Sequence, residues 1–196
     1  MAAGFTYNLT PEEVKEERYD VETGRRRRGP YKLDTTSLPV GEYLPSFTPI
    51  AADLKKKTAQ VAIRVEVAKK FTTGSNTTLK IKKKSFAYAG MHLGNGSNGA
   101  TVNSIDKSDP NYDTLTLAAD FGATLEVGTV LFEATAVTGK TPKVTANSAL
   151  YERAKIENGI VLVALLMRAF EIEPAKLAIP FHAKDKANMP YFQFNE

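Results

Sequence analysis

The sequence predicts a mainly β protein, a small β-barrel or β-sandwich domain preceded by an extended N-terminal arm. Three observations carry this. Val61, Ile63, Val65 and Val67 alternate with Ala62, Arg64, Glu66 and Ala68, the period of a strand with one buried face. Further short apolar stretches occur at turn-separated intervals, the spacing of a barrel or sandwich. No long amphipathic helix competes with them. At 196 residues the chain is long enough for one good core, and several independent domains are not expected.

Residues 1–57 read as the arm. Pro11, Glu12 and Glu13 come after Thr10, an N-cap pattern that allows a short helix from Pro11 to Tyr19. Gly24, the run Arg25, Arg26, Arg27 and Arg28, then Gly29 and Pro30 are expected to break regular structure. Pro39, Pro45 and Pro49 divide the next stretch into extended pieces that carry Leu38, Val40, Tyr43, Leu44, Phe47 and Ile50. A disordered linker rarely holds so many apolar anchors. The arm is therefore expected to pack along a surface of its own domain or of a neighbouring subunit, with a long ordered loop on the same domain as the alternative.

Residues 58–196 read as the globular domain. After the strand at Val61–Val67, Leu79 and Ile81 alternate with Lys80 and Lys82, a second strand with a basic outer face that continues toward Phe86 and Tyr88. Its lysines are suited to protect a sheet edge. Later strands are expected at Ala100–Ile105, Thr114–Ala118 and Thr129–Ala136. Ile160 to Met167 is the densest apolar run and must be buried. It reads either as a buried helix or as a strand. The turn signal Glu157, Asn158 and Gly159, with Pro174 beyond, favours a hairpin of Leu150–Ile156 and Ile160–Ile172. Both faces of that strand are apolar, with Val161, Val163, Leu165 and Met167 on one. Core is expected on one side and a second layer or sister subunit on the other. The tail, with Tyr191, Phe192 and Phe194, is apolar enough to dock.

Several chemistries are set aside. The chain has no cysteine, so it has no disulfide framework and no thiolate metal site. No signal-peptide pattern opens it, and its longest apolar run is too short to span a bilayer, so no membrane partner is expected. Gly94 to Gly99 matches G-x-G-x-x-G, but Ala100 to Ile105 read as a strand where a dinucleotide site needs a helix, so the match is read as a glycine-rich loop. His92 and His182 stand alone, and no catalytic, cofactor-binding or metal-ligating residue is assigned. Charge is uneven: ten Lys or Arg against Glu66 alone between Leu54 and Lys84, and six acidic residues against Lys107 between Thr101 and Val137. The basic segments are suited to phosphate. An acidic protein partner fits better than nucleic acid, because the chain supplies its own acidic segment as a reciprocal patch in a homo-oligomer.

The segments SLPVGEYLPSFTPIAADL, LEVGTVLFEATA and NSALYERAKIENGIVLVALLMRAFEIEPAKLAIPF resemble the head fiber proteins of tailed bacteriophages. The last two also resemble small phage capsid decoration proteins, in which a strand like Val127–Leu131 precedes strands like Leu150–Ile156 and Ile160–Ile172. The resemblance implies a non-enzymatic virion protein, made in the bacterial host cytoplasm and attached to the outer surface of the capsid. Its implied partners are the major capsid protein, copies of itself in a homotrimer, and other head or fiber proteins. On this reading Arg25 to Arg28, Tyr31, Leu38, Tyr43, Leu44 and Phe47 are candidates for the capsid or subunit interface. The run of arginines has no counterpart in the family pattern. The alternative is a phosphate- or nucleic-acid-directed binding protein using the lysine-rich strand face.

Overall fold

The structure, a computed structural model, describes residues 18–195. The helix expected over Pro11–Tyr19 therefore lies, but for Arg18 and Tyr19, outside the described residues. In chain order the strands begin with β1 (Asp20–Arg26), β2 (Tyr31–Leu33), β3 (Tyr43–Leu44), β4 (Pro49–Asp53), β5 (Thr58–Val61) and β6 (Arg64–Glu66). Next come β7 (Thr78–Lys82), β8 (His92–Gly94), β9 (Gly99–Asp106), β10 (Tyr112–Leu117) and β11 (Val130–Glu133). The series closes with β12 (Ser148–Leu150), β13 (Ala154–Lys155), β14 (Val161–Val163), β15 (Leu165–Ile172) and β16 (Phe192–Phe194), a short helix α1 (Ala183–Ala187) preceding the last.

Two curled sheets hold most of these strands. The larger runs β1-β15-β12-β4-β5-β2-β14, with β16 added to β15. Only residues 27–30 separate β1 from β2, and only Ala164 separates β14 from β15. The ladder Asp20↔Phe170, Arg26↔Leu166, Tyr31↔Val163 and Leu33↔Val161 runs along both pairs. The two ends of the strand order thus belong to two continuous stretches of chain, and the sheet curls back on itself. The smaller sheet runs β6-β11-β8-β9-β10-β7. Its ends are joined where Val67 bridges Ile81 and the Ala68 amide donates to the Lys80 carbonyl at 2.9 Å. The lysines of β7 therefore lie on a strand that is tied back at Ile81.

The strand expected at Val61–Val67 connects the two sheets. β5 ends at Val61 and β6 begins at Arg64. Ala62 and Arg64, expected on an outer face, are 0% and 1% exposed. A period of two marks one buried face only while a strand stays in one sheet. Here the chain crosses between sheets, so both faces meet protein. The strands expected at Ala100–Ile105, Thr114–Ala118 and Thr129–Ala136 correspond to β9, β10 and β11. Phe86 is buried, although no strand forms there.

Of residues 20–57, β1, β2 and β4 are built into the larger sheet, and β3 pairs with β13 apart from it. β1 passes through Gly24 to Arg26, where a break was expected; two register shifts accommodate it. β4 and β5 pair as a hairpin across residue 57, Asp53 opposite Thr58. Tyr31, Leu38, Leu44 and Ile50 sit in a core shared with Val65, Leu79, Leu131 and Leu165 of both sheets. Phe47 joins a second core with Leu166, Phe181, Met189 and Phe192. These apolar residues pack because each large buried side chain is worth roughly 1.5–3 kcal/mol.

The run from Ile160 is neither a helix nor an uninterrupted central strand. The expected hairpin begins as foreseen, with Ala149 opposite Leu166 and Leu150 opposite Leu165, then flares. β13 leaves to pair with β3, and β14 pairs with β2, so no tight turn joins them at Asn158 and Gly159. Ile160 and Leu162 consequently stand outside the core, 72% and 60% exposed. The tail docks: the Phe192–Phe194 strand pairs in parallel with β15, and Met189 and Phe192 are buried.

Candidate functional site

The arginine run forms an exposed rim at β1. Among the described residues β1 pairs with β15 alone, and Arg25, Arg26 and Arg28 are exposed. Arg25 stands opposite Arg168 in the register. The Arg168 Nε donates to the Thr23 carbonyl at 3.0 Å, and its guanidinium lies 5.5 Å from the Phe170 ring centre. Arg26 lies over the ring of Tyr151, 5.0 Å from its centre, a cation–π contact. Arg27 is turned inward. Its Nε donates to Ser148 Oγ at 2.7 Å and its Nη2 to the Asn147 carbonyl at 2.9 Å, which ties the rim to β12.

The other residues expected at an interface divide by burial. Tyr31, Leu38, Leu44 and Phe47 are buried in the cores of this chain and cannot anchor it to capsid or sister subunit while the fold is intact. Their apolar character reported burial, and the burial is internal. Tyr43 is exposed, with the Arg153 guanidinium 5.4 Å from its ring centre. On the strand read as core or oligomer contact, Val163 and Leu165 are buried in the first core, while Val161 and Met167 are half-buried. The apolar surface left open on that stretch belongs to the opposite face, at Ile160 and Leu162.

The lysine-rich strand is largely neutralised within the chain. Lys82 pairs with Glu66 at 2.6 Å and Lys83 with buried Asp113 at 2.8 Å. Lys69 and Lys80 lie over the ring of Tyr112 at 4.7 and 4.4 Å, and Lys70 pairs with Glu126 at 2.6 Å. The acidic segment expected as a reciprocal patch between copies meets these lysines internally, at Asp113 and Glu126.

Two buried polar clusters have no forerunner in the sequence patterns above. Arg64 donates from Nε to Asp185 Oδ2 at 2.7 Å and from Nη2 to Oδ1 at 2.6 Å. The Asp185 carboxylate also accepts from the Ala146 and His182 amides, so all its partners are charged or backbone donors. His182 caps α1, accepting from the Lys184 amide at Nδ1, and its ring lies 4.8 Å from that of Phe132. Burial, then the nearby Arg64 charge, holds its pKa below the ordinary histidine value. The spacing His182-x-x-Asp185 is a capping box and is the sequence signal for this site. In the second cluster Glu133 accepts from Lys143 Nζ at 2.7 Å and from the Tyr88 hydroxyl. Burial and Glu133 raise the Tyr88 pKa, and the Glu133 hydrogen bond raises that of Lys143.

Neither cluster opens onto a ligand-sized cavity. The hollow beside Glu133 and Lys143, lined also by Asp34, Ser37 and Gln60, encloses about 20 Å³, roughly the space of one water. The glycine-rich stretch Gly94–Gly99 closes a β8–β9 hairpin, with Asn95 Oδ1 accepting from the Ser97 and Asn98 amides at 2.9 Å. The strand β9, not a helix, comes after it. His92 is engaged by Thr101 Oγ1 at 2.8 Å.

The chemistry on offer is contact: a basic rim, an apolar edge and a polar interior whose groups are occupied. A family model described as head fiber protein matches residues 1–194. Comparison with curated proteins and with solved structures found no match. With the match running over nearly its whole length, the chain belongs to the phage head fiber protein family, structural proteins of the virion and not enzymes.

Proposed function

We propose that the protein is attached to the outer surface of the assembled capsid, and that the basic rim at β1 meets an acidic face of the major capsid protein. The observation that carries this is the group of exposed guanidinium groups, Arg25, Arg26 and Arg28, at a strand that pairs on one side alone among the described residues. Clustered guanidinium groups are complementary to a carboxylate-bearing partner. The same charges discourage pairing with an unrelated strand edge, which favours a surface partner over a fibril-like stack. Individual contacts of this kind are weak and salt-sensitive, and repetition on a symmetric shell multiplies them. A homotrimer is the oligomer that the sequence resemblance implies.

The phosphate- or nucleic-acid-directed reading has less support, since the lysines it relies on are engaged by Glu66, Asp113 and Tyr112. Co-sedimentation with emptied capsids, titrated with salt, tests the proposal, with free DNA as a parallel arm. Retention on capsids that weakens with salt and is lost in Arg25→Glu/Arg26→Glu/Arg28→Glu is expected. Equal retention of the charge-reversed chain overturns the assignment of the rim, and salt-sensitive binding to DNA alone favours the second reading.

A further inference from the structure

We infer that Asn158–Gly159, in the bend between β13 and β14, is a site of intrachain modification, where the Asn158 side chain closes onto the Gly159 nitrogen and ends as aspartate or isoaspartate. Three Asn-Gly pairs occur in the sequence, Asn95–Gly96, Asn98–Gly99 and Asn158–Gly159. Such pairs are open to this reaction because glycine sets no Cβ beside the attacking nitrogen and lets the backbone turn toward the side chain. The fold separates the three.

Ring closure needs the glycine nitrogen and the asparagine side-chain carbonyl carbon to approach in line within about 3–3.5 Å. At Asn95 both groups are committed: its Oδ1 accepts from the Ser97 and Asn98 amides, and the Gly96 amide donates to the Gly139 carbonyl at 2.9 Å. Asn98 Nδ2 donates to the Gly122 carbonyl at 3.1 Å, and Gly99 begins β9 opposite Gly94. Gly99 is also close-packed, since a Cβ there would lie 2.6 Å from the Gly139 Cα. Neither pair can twist without opening the β8–β9 hairpin. Asn158 and Gly159 are exposed. Among the described residues no hydrogen bond within the protein holds the Asn158 side chain or the Gly159 amide. Gly159 has φ +104°, with nothing within 4 Å of where a Cβ would stand. β13 ends at Lys155 and β14 begins at Val161, so the bend belongs to neither ladder.

Water is the sole co-reactant. The Gly159 nitrogen gives up its proton and bonds to Asn158 Cγ, the Cγ–Nδ2 bond breaks, and Nδ2 leaves as ammonia with that proton. Water then opens the five-membered imide: cleavage at Cγ leaves aspartate, and cleavage at the main-chain carbonyl leaves isoaspartate. The bend takes up the extra main-chain carbon of isoaspartate without loss of a ladder bond. The product brings a carboxylate into Asn158–Met167, a stretch without a charged residue, two positions before exposed Ile160. Each converted chain thus gains a negative charge apart from the arginine rim.

The test incubates the full chain at mildly alkaline pH in water enriched in heavy oxygen, folded and in urea, and follows each Asn-Gly pair by peptide mass spectrometry that separates aspartate from isoaspartate. In the folded chain, conversion at Asn158 is expected to be at least about tenfold faster than at Asn95 or Asn98, where reaction waits for local opening of paired backbone. In urea the three rates are expected to converge. Each product is expected to hold one heavy oxygen, and isoaspartate to accompany aspartate. Gly159→Ala, whose Cβ shields the nitrogen, is expected to lose most of the conversion. Equal rates at the three pairs in the folded chain, or a preference for Asn158 that persists in urea, overturns the inference. So does aspartate without isoaspartate, which is direct hydrolysis of the side chain, or an undiminished rate in Gly159→Ala.

Discussion

Asp185, on the short helix near the C-terminus, closes a bidentate ion pair with Arg64 at the point where the chain passes from one sheet to the other. The two side chains are 0% and 1% exposed. Since Asp185 lies in the tail segment that supplies Phe181, Met189 and Phe192 to the second core, the pair fastens that tail to the junction of the sheets.

Removing one partner leaves a buried charge without compensation. Asp185→Asn or Arg64→Met is expected to destabilise the fold by about 3–5 kcal/mol. Arg64→Met combined with Asp185→Asn is expected to cost clearly less than the sum of the single changes. Urea denaturation of the four chains measures this coupling.

His182 makes stability depend on pH. Its folded pKa is depressed by burial and by Arg64, so the unfolded chain binds the proton more readily. The associated stability is fully present above the unfolded value of 6.5. It is lost as pH falls from there through the folded pKa. His182→Asn, which keeps a capping side chain, is expected to flatten the melting temperature between neutral and mildly acidic pH. An unchanged slope would assign the dependence to other groups.

Gly139 and Gly159 both have positive φ, +66° and +104°, but differ in their surroundings. A Cβ on Gly139 overlaps the Asn98 carbonyl and the backbone of Gly99, while at Gly159 it meets open space. Gly159→Ala is expected to cost about 1–2 kcal/mol, the left-handed penalty alone. Gly139→Ala must also displace the β8–β9 hairpin and is expected to cost more. Thermal unfolding of the two variants ranks them.

Phe47 separates a core role from an interface role. It packs against Tyr19, Phe181 and Phe192 with ring centres 5.0, 6.1 and 6.3 Å away. Phe47→Ala is expected to destabilise the isolated chain by about 3–5 kcal/mol. A residue acting as an anchor for another protein would leave the isolated chain unaffected.

The strands were legible in the sequence wherever a stretch stays in one sheet, as at Leu79–Ile81 and Thr114–Ala118, because alternation then reports one buried face. Alternation misassigned Arg64, since Val61–Val67 crosses between sheets and the nominal outer face meets the tail. The apolar anchors of residues 31–50 correctly signalled burial. Composition cannot tell whether the covering surface is the same chain or another, and the long-range pairs β1–β15 and β2–β14 decided it. The run at Ile160–Met167 misled for a related reason: a break at Ala164 turns one stretch into two strands with different partners, leaving Ile160 and Leu162 outside. The arginine rim was visible as charge, but which arginines remain free depended on the inward turn of Arg27.

The central claim is that the basic rim holds this head fiber protein on the capsid. Its most direct test is the copy number of the chain on purified particles after a wash at about 0.1 M salt, where exposed charges within roughly 10 Å still interact. Wild type is compared with Arg25→Glu/Arg26→Glu/Arg28→Glu. Full occupancy of wild type and loss of most copies of the variant, with both chains equally stable when free, is the expected result. Equal copy numbers for the two would contradict the claim.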